Sequence, residues 1–251
     1  MKNHTIIALL TDFGTKDYFV GAMKGAILSV NPNAKIVDIT HEILPQDIRG
    51  ASFTLRACYR NFPLETIFVA VVDPEVGSER RAILVETERC FFVAPDNGLL
   101  SFVFDESEKF RVFELTNREF FAEKVSATFH GRDVFAPVAA HLSRGVSPNE
   151  FGAEITDFKR FEENKTQAEI IHIDRFGNLI TNLKREDLPE NFAIKIGEKH
   201  IEKLQNFYAE AENNEVFMIT GSAGFLEIVA FQDSAQEILK AKIGQMIEVL
   251  R

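Results

Sequence analysis

The sequence predicts a two-domain α/β protein, in which a doubly wound, mostly parallel sheet is followed by a small β-barrel domain. Three observations support this fold class. Unbroken apolar segments such as 66–72 are typical of strands that are buried on both faces of a parallel sheet. Up to about residue 148, segments of helical character alternate with such strands. From residue 169 onward, short strand-like segments follow one another and are separated by turn residues.

The first domain is predicted to alternate strands and helices. Its strands are expected at 5–10, 35–39, 66–72, 82–86, 90–93 and 110–115. Its helices are expected at 18–30, 47–60 and 134–142. An aspartate stands at or just before the start of each helix, so Asp17, Asp47 and Asp133 are the predicted N-caps. This domain is assigned residues 1–148.

The second domain follows a change in composition. Residues 149–168 are rich in polar residues and lack periodicity, so they are predicted to link the two domains. Strands are then expected at 169–174, 178–183, 192–196, 215–220, 225–230 and 246–250, with a short helix near 234–240. Residues 169–251 are therefore predicted to form the β-barrel domain.

Charge and cysteine content limit the partners and the compartment. The 251 residues carry a formal net charge of −10, whereas nucleic acids and anionic membranes bind basic surfaces, so neither is expected as a partner. The two cysteines lie in apolar segments without metal-ligand spacing, which favours reduced thiols and a cytoplasmic location. No apolar segment reaches the ~18 residues that a membrane span needs.

Two aspartates directly follow predicted buried strands. Asp12 comes after the first strand and Asp73 after the third, each on a loop that contains glycine. Ligands of open α/β sheets bind beyond the carboxyl ends of the strands, so both aspartates are candidate binding residues. Taken alone, Asp73 could equally cap a turn and pair with Arg80 or Arg81.

Further polar clusters fall at predicted turns. His130 stands at a strand-to-helix junction, although a structural role is the commoner one for a lone histidine. The same structural role is expected for His41, His141, His172 and His200. In the second domain, Asn178 could bind the edge of a heterocycle and Phe176 could cover a ring face, but a hairpin turn explains both equally well. The loop 220–224 could bind a carboxylate through backbone N–H groups, or be a plain loop.

Seven short motifs occur together in one order, and no single-residue explanation accounts for all of them. They are Thr11–Gly14, Asp38–His41, Asp73–Arg81, Pro95–Gly98, Phe129–Asp133, Asp174–Asn178 and Gly221–Glu227. In these motifs the chain resembles the S-adenosyl-L-methionine hydrolase (adenosine-forming) family, which is related to the fluorinase and chlorinase enzymes. The resemblance covers nearly the whole chain.

The resemblance implies an assembly and a site. Family members combine a nucleoside-binding α/β domain with a C-terminal β-barrel, and they form homotrimers whose active sites lie between subunits. By this likeness the substrate-binding residues are Asp12 for the ribose hydroxyls, Phe176, Asn178 and Tyr208 for adenine, and Asp174 and Ser222 for the amino and carboxylate groups of methionine. The triad that activates water maps onto Asp73, Arg80 and His130.

The implied reaction is hydrolysis of a small-molecule substrate, S-adenosyl-L-methionine, to adenosine and L-methionine. It needs no cofactor and no metal. Water or hydroxide attacks C5′ of the sulfonium ion in line with the leaving methionine. Water has a pKa of ~15.7 and needs a base or a cation to activate it. Arg80 is expected to stabilise developing hydroxide, and either His130 or Asp73 accepts the proton.

Two other functions compete with this one. The chain could be a non-catalytic protein that binds adenosine or S-adenosylmethionine and hydrolyses it only incidentally. A methyltransferase is a weaker third option, because its usual glycine-rich loop is missing from this sequence.

Four positions distinguish this chain from relatives. The halogenating enzymes carry a halide-binding serine at the position of Gly131 and a tyrosine at that of Asp73, and both differences favour water over halide. Glu75 stands where the family usually has glycine, so its backbone would be strained if that turn needs a positive φ. Ala223 replaces an arginine of the halogenases.

Overall fold

The structure is a computed structural model, and it describes residues 5–161 and 167–250. The chain divides into two compact units, Met1–Phe161 and Glu162–Arg251. Each unit contains one sheet, so the prediction of a mixed α/β chain with two sheets is confirmed. No helix in the described ranges is long and apolar enough to cross a membrane.

The first unit combines a seven-stranded sheet with four α-helices. Its strands are β1 (Ile6–Thr11), β2 (Lys35–Thr40), β3 (Ile67–Val71), β4 (Ala82–Thr87), β5 (Phe91–Pro95), β6 (Phe110–Glu114) and β7 (Glu154–Ile155). Its helices are α1 (Phe19–Val30), α2 (Ile48–Cys58), α3 (Ser101–Glu106) and α4 (Ala136–Ser143). Single 3₁₀ turns cover Tyr59–Asn61, Arg118–Phe120 and Pro148–Glu150, and a π-helical turn covers Gly131–Phe135.

The strand order is β2-β1-β3-β5-β4-β6-β7. The first four strands are mutually parallel, whereas β4, β6 and β7 pair in antiparallel fashion. A three-residue turn joins β4 to β5, and so short a connection can only join antiparallel neighbours. The prediction of a mostly parallel sheet therefore holds for β2, β1, β3 and β5, and not for the rest of the sheet.

The parallel strands are apolar throughout because helices cover both faces of the sheet. Alternate side chains of β1 point to opposite sides, so Ile7 and Leu9 pack with α1 and α4, while Ala8 and Leu10 pack with α2 and α3. All four side chains are completely buried. This burial explains why the strand reads as an unbroken apolar segment.

One predicted helix cap is confirmed and two are wrong. The Asp47 side chain accepts a hydrogen bond from the Gly50 N–H and caps α2 as expected. Helix α1 begins at Phe19 with Tyr18 as its N-cap residue, so Asp17 lies outside the helix. Asp133 lies inside the π-helical turn, where its carboxylate accepts from the Ser126 N–H at 2.8 Å and therefore holds the preceding loop.

The predicted linker over 149–168 differs from the structure in its first half. Strand β7 pairs with β6 at the edge of the first sheet, and Phe151 is fully buried in the core. Phe158 stacks on Phe104 with 4.2 Å between ring centroids. The apolar side chains therefore attach residues up to 161 to the first unit. Residues 162–166 lie outside the described residues.

The second unit is an eight-stranded sheet with one short helix. Its strands are β8 (Ala168–Ile173), β9 (Leu179–Lys184), β10 (Ala193–Ile196), β11 (Lys199–Ile201), β12 (Leu204–Gln205), β13 (Val216–Thr220), β14 (Phe225–Ala230) and β15 (Met246–Leu250), and its helix is α5 (Ala235–Leu239). Further 3₁₀ turns cover Arg185–Asp187 and Tyr208–Glu210. The strand order is β11-β10-β15-β8-β9-β14-β13-β12, and only the β12–β13 pair is parallel. The short strands β11 and β12 were not among the predicted strands.

Candidate functional site

Three adjacent parallel strands place polar residues along one edge of the first sheet. Thr11 at the end of β1 is in register with Val71 at the end of β3, and β3 pairs in turn with β5. Asp12 and Asp73 follow the ends of β1 and β3, and Asp96 follows the end of β5. The carboxyl ends of parallel strands are where ligands of such sheets bind, so this edge is the candidate site in the first unit.

Asp73 and Arg80 form a buried ion pair. The Arg80 Nε–H donates to Asp73 Oδ1 at 2.9 Å and to Oδ2 at 3.0 Å, and Arg80 Nη2 also donates to Oδ2. The Arg80 side chain is 2% exposed and that of Asp73 is 4% exposed. Such burial is tolerated only when both charges are paired and hydrogen-bonded, and here the arginine contacts both oxygens of the carboxylate.

The loop between these two residues depends on one glycine. Gly77 has φ +80°, and a Cβ at this position would lie 2.1 Å from the Ala127 carbonyl oxygen, so no other residue fits without moving the backbone. The turn is closed by hydrogen bonds from the Val76 N–H to the Asp73 carbonyl and from the Ser78 N–H to the Glu75 carbonyl. These contacts bring Arg80 back over the end of β3.

His130 joins this pair through the arginine. Its Nδ1 lies 3.0 Å from Arg80 Nη2. A guanidinium group has only donors, so Nδ1 accepts and the neutral ring carries its proton on Nε2. Burial, and then the positive charge of Arg80, hold the pKa of His130 below its ordinary value of 6.5, which favours the neutral ring. The structure therefore brings together all three residues of the predicted triad.

Asp12 lies close enough to Asp73 for the two charges to interact. Its Oδ2 accepts a hydrogen bond from the Gln46 N–H at 2.9 Å. Burial raises the pKa of Asp12, the Gln46 hydrogen bond opposes that rise, and the negative charge of Asp73 adds to it. Gln46 itself has φ +68°, a backbone conformation that non-glycine residues rarely adopt outside constrained sites. Nothing in the side-chain pattern of the sequence pointed to Gln46, because its backbone makes the contact.

Glu75 does not face the triad. It is exposed, and its Oε2 lies 3.3 Å from Lys159 Nζ. Both residues line a cleft of about 530 Å³ that opens beside Arg80. Glu75 is not among the residues with positive φ, so the strain that its replacement of glycine would imply is absent.

The candidate residues of the second unit cluster at the turn between β8 and β9. Asp174 Oδ1 accepts from the N–H groups of Phe176 and Asn178 at 2.8 and 2.9 Å, and Oδ2 accepts from Asn178 Nδ2 at 2.8 Å. Asn178 Nδ2 also lies 3.4 Å from the Tyr208 hydroxyl. Both hydrogens of the Asn178 side-chain amide thus have partners. The side-chain oxygen Oδ1 is the atom that is left to accept a hydrogen bond from a ligand.

Exposure differs sharply among these residues. The Phe176 ring is 76% exposed although it stands beside the buried Asn178, so it presents a free aromatic face. Ser222 is exposed on the loop between β13 and β14, and within residues 167–250 no hydrogen bond connects its hydroxyl to the Asp174 turn. Hydrogen bonds therefore group Asp174, Asn178 and Tyr208, whereas among residues 167–250 none of these bonds involves Ser222.

Glu227 is an acidic member of this cluster that the sequence analysis did not assign to the site. Burial, and then the negative charge of Asp174, raise the pKa of Glu227. Burial, and then the charges of Glu227 and Asp174, raise the pKa of Tyr208. A Cβ at Gly221 would lie 1.7 Å from Glu227 Oε1, so a side chain there would displace the Glu227 carboxylate. Three acidic or phenolic groups thus share one half-buried surface that favours a cation.

No metal site emerges from the described ranges, 5–161 and 167–250. Within them, no group of three or more His, Cys, Asp or Glu side chains is arranged to hold a metal ion.

Comparison with known proteins gives a consistent result over the whole chain. Residues 7–152 match the SAM hydroxide adenosyltransferase N-terminal domain, and residues 168–248 match the SAM hydroxide adenosyltransferase C-terminal domain. The (R)-S-adenosyl-L-methionine hydrolase of Methanocaldococcus jannaschii is 40% identical over 98% of this chain and 95% of its own length. A fluorinase from an Actinoplanes species is 30% identical over 74% of each chain. The crystal structure of an uncharacterized conserved protein from Thermotoga maritima superimposes with a TM-score of 0.91 and 36% identity, covering 97% of this chain and 99% of that one.

Proposed function

Because the chain belongs to the SAM hydroxide adenosyltransferase family, we propose that it is an enzyme that hydrolyses S-adenosyl-L-methionine to adenosine and L-methionine. The similar archaeal hydrolase is named for the (R) epimer at sulfur, and we propose the same epimer as the substrate here. The observation that carries the proposal is the hydrogen-bonded Asp73–Arg80–His130 network beside Asp12 at the carboxyl ends of β1 and β3.

The proposed reaction is a single displacement at C5′. An oxygen from water or hydroxide forms a bond to C5′, and the bond between C5′ and sulfur breaks with its electron pair going to sulfur. The sulfonium ion thereby becomes the neutral thioether of methionine, and one proton of the water is released. Holding the two reactants in line in a dry site supplies much of the rate acceleration that such a reaction needs.

Each member of the triad has a separate proposed role. The Nε2–H of His130 and the positive charge of Arg80 hold and stabilise the attacking oxygen. The lone pair of His130 Nδ1 is occupied by Arg80, so the neutral imidazole has no free acceptor site. The carboxylate of Asp73 has about four acceptor sites, of which Arg80 occupies three. Asp73 is therefore the proposed proton acceptor.

Each unit carries residues that the family resemblance assigns to substrate binding. Asp12 accepts hydrogen bonds from the ribose hydroxyls. The side-chain oxygen of Asn178 accepts a hydrogen bond from the amino group of adenine, and Phe176 and Tyr208 contact the adenine ring. The negative charge around Asp174 attracts the amino group of methionine, and Ser222 binds its carboxylate. The exposed Phe176 face and the shared charge of Asp174 and Glu227 support these roles.

The assembly and the compartment are also proposals. The family resemblance suggests a homotrimer with active sites between subunits, and closure of the second sheet, within 169–251, into a barrel. Cys58 and Cys90 are both free thiols, which suits the reducing cytoplasm.

The proposed activity is tested by chromatography of the products formed from a mixture of the (R) and (S) epimers. The expected result is stoichiometric adenosine and methionine, with the (R) epimer consumed and the (S) epimer remaining. A chain that retains adenosine tightly and turns over far more slowly than ~0.01 s⁻¹, against a median near ~10 s⁻¹ for enzymes, would instead be a binding protein. Formation of S-adenosylhomocysteine would identify a methyltransferase.

A further inference from the structure

The turn that carries Asp12 is held by one short segment of chain, residues 41–46. The His41 carbonyl accepts from the Gly14 N–H at 2.7 Å, and the Gln46 N–H donates to the Asp12 carboxylate at 2.9 Å. Both contacts are made by the backbone of this segment. Two of its side chains also reach this loop: Glu42 accepts from the Thr15 hydroxyl at the surface, and the imidazole of His41 contacts Thr11 from inside the protein.

His41 is 4% exposed and lies against the end of β1. Its Nδ1 is 2.8 Å from the hydroxyl of Thr11, which is completely buried. The same hydroxyl oxygen accepts from the Phe13 N–H at 3.2 Å. The Thr11 hydroxyl can therefore accept from Phe13 and at the same time donate its own proton to Nδ1 of His41. The imidazole thus contacts Thr11 directly and is linked to Phe13 through the Thr11 hydroxyl, and these two residues flank Asp12.

The opposite side of the ring faces an acidic group. His41 Nε2 lies 3.1 Å from Asp38 Oδ1, a distance typical of an ion pair, although the carboxylate stands off the direction of the N–H bond. Asp38 is itself held by Lys24 at 2.6 Å. Burial works to raise the pKa of Asp38, but its contacts with Lys24 and His41 outweigh that effect and the pKa is lowered. The Asp38 carboxylate therefore favours the ring tautomer that carries its proton on Nε2 and accepts at Nδ1.

We infer that His41 is a positioning residue that sets the Asp12 carboxylate for the ribose hydroxyls, acting through Thr11 and the Asp12 turn. This inference rests on the proposed function, because it takes Asp12 as the group that binds ribose. It assigns His41 no contact with the substrate. A histidine that merely filled the core would stabilise the fold without affecting how the protein distinguishes a ribose from a deoxyribose.

The test is the ratio of affinities for adenosine and 2′-deoxyadenosine, measured by calorimetry on the full chain. His41→Gln places its amide near the position of Nε2 and removes the acceptor at Nδ1, whereas His41→Asn keeps an acceptor there. Thr11→Val removes the hydroxyl and leaves His41 in place. The expected result is that His41→Gln and Thr11→Val lose roughly tenfold of the preference for adenosine, as for one hydrogen bond to a charged group, while His41→Asn retains it.

The control is His141→Gln, a half-buried histidine on α4 that packs against Phe120. It should keep the wild-type ratio. An unchanged ratio in either His41→Gln or Thr11→Val would overturn the inference, as would an equal loss in His41→Asn, because the size of the ring rather than its Nδ1 atom would then matter. If one of the two loss variants does not fold, the other carries the test.

The readout separates this inference from the proposed function, because binding of adenosine needs no turnover. A wild-type chain that prefers adenosine, and loses that preference in His41→Gln, but does not hydrolyse S-adenosylmethionine, would support the role of His41 and contradict the proposed hydrolysis. A wild-type chain that hydrolyses its substrate without preferring adenosine over 2′-deoxyadenosine would contradict the role of His41 alone. Failure to bind adenosine, together with failure to hydrolyse S-adenosylmethionine, would contradict both.

Discussion

Arg80 donates to Nδ1 of His130 across 3.0 Å while its guanidinium group also engages both carboxylate oxygens of Asp73. The arginine is therefore the central member of the triad, and the histidine is oriented by it. This relationship makes His130 a hydrogen-bond donor at Nε2 and not a base, which leads to a prediction that distinguishes the two roles.

His130→Asn tests the role of the histidine directly. The asparagine oxygen can take the place of Nδ1 and accept from Arg80, but the Nε2–H is lost. We expect kcat to fall by about tenfold, as for one hydrogen bond to a charged group. Loss of a general base would lower kcat by about 10²–10⁴-fold. Steady-state kinetics on purified variants decide between the two, and a thousandfold loss in His130→Asn would contradict our assignment of Asp73 as proton acceptor.

The pH dependence of stability should contain an acid limb that arises from His130. Its pKa is lowered in the folded protein, so between that value and its ordinary value of 6.5 the unfolded chain binds the proton more tightly than the folded protein. The free energy of unfolding should therefore be unaffected by this group above pH 6.5 and decrease as the pH falls below it. Urea unfolding at a series of pH values measures the effect, and His130→Asn should lack that component. An identical acid limb in both proteins would argue against it.

Removal of one partner of the Asp73–Arg80 ion pair should lower the free energy of unfolding strongly. Arg80→Met leaves a buried carboxylate without a partner, and we expect the free energy of unfolding to fall by roughly 3–5 kcal/mol. Adding Asp73→Asn should recover part of that stability without restoring turnover. Arg111→Met is the matched control, because Arg111 pairs with Glu86 at the surface and such pairs contribute about 0–1 kcal/mol. Equal losses in Arg80→Met and Arg111→Met would contradict the central role of the buried pair.

A side chain at position 131 should destabilise the protein, whereas a side chain at a helical glycine that faces open space should not. A Cβ there would lie 3.2 Å from the Phe13 ring and 3.3 Å from Met23 Sδ, tighter than ordinary contacts. We expect Gly131→Ser to lower stability by about 1–3 kcal/mol and to yield no 5′-chloro-5′-deoxyadenosine in the presence of chloride.

Gly21→Ala, in helix α1, provides the comparison for Gly131. A Cβ at Gly21 would meet open space, so this substitution should raise stability by up to about 1 kcal/mol. Thermal unfolding and chromatography of the products provide both measurements. A fully stable Gly131→Ser protein that releases the chlorinated nucleoside would show that packing around Gly131 does not exclude halide.

Glu75→Gly should have little effect on catalysis. The Glu75 side chain is exposed and directed at Lys159, and its backbone is unstrained. We expect kcat/KM to change less than about twofold and stability to change by no more than about 0.5 kcal/mol, as for surface substitutions generally. A large gain in activity on restoring the usual glycine would indicate that Glu75 disturbs the triad after all.

The sequence predicted the strand-end position of Asp12 and Asp73 because buried parallel strands leave an unbroken apolar pattern, and a carboxylate directly after such a pattern stands out. It also predicted the cap of α2, where Asp47 and the helix start are adjacent. These features depend on short stretches of chain whose physical chemistry is local.

Other features could not be read from the sequence because they depend on tertiary contacts. Asp133 looks like a helix cap, but the π-helical turn moves it inward to hold the Ser126 N–H. The contact of Gln46 with Asp12 is made by a backbone N–H, which leaves no side-chain signal. The direction of the Glu75 side chain depends on Lys159, which is distant in the chain. The sequence predicts only a structural role for His41, because nothing in its sequence neighbours indicates that it reaches Thr11.

The most direct test of the central claim is hydrolysis in ¹⁸O-labelled water. If water or hydroxide attacks C5′, the adenosine formed from S-adenosylmethionine carries one ¹⁸O atom at O5′, and the methionine carries none. Mass spectrometry of the two products reads this directly, with Arg80→Met as the variant that should form almost no labelled adenosine. Adenosine without the label, or label in methionine, would contradict the account.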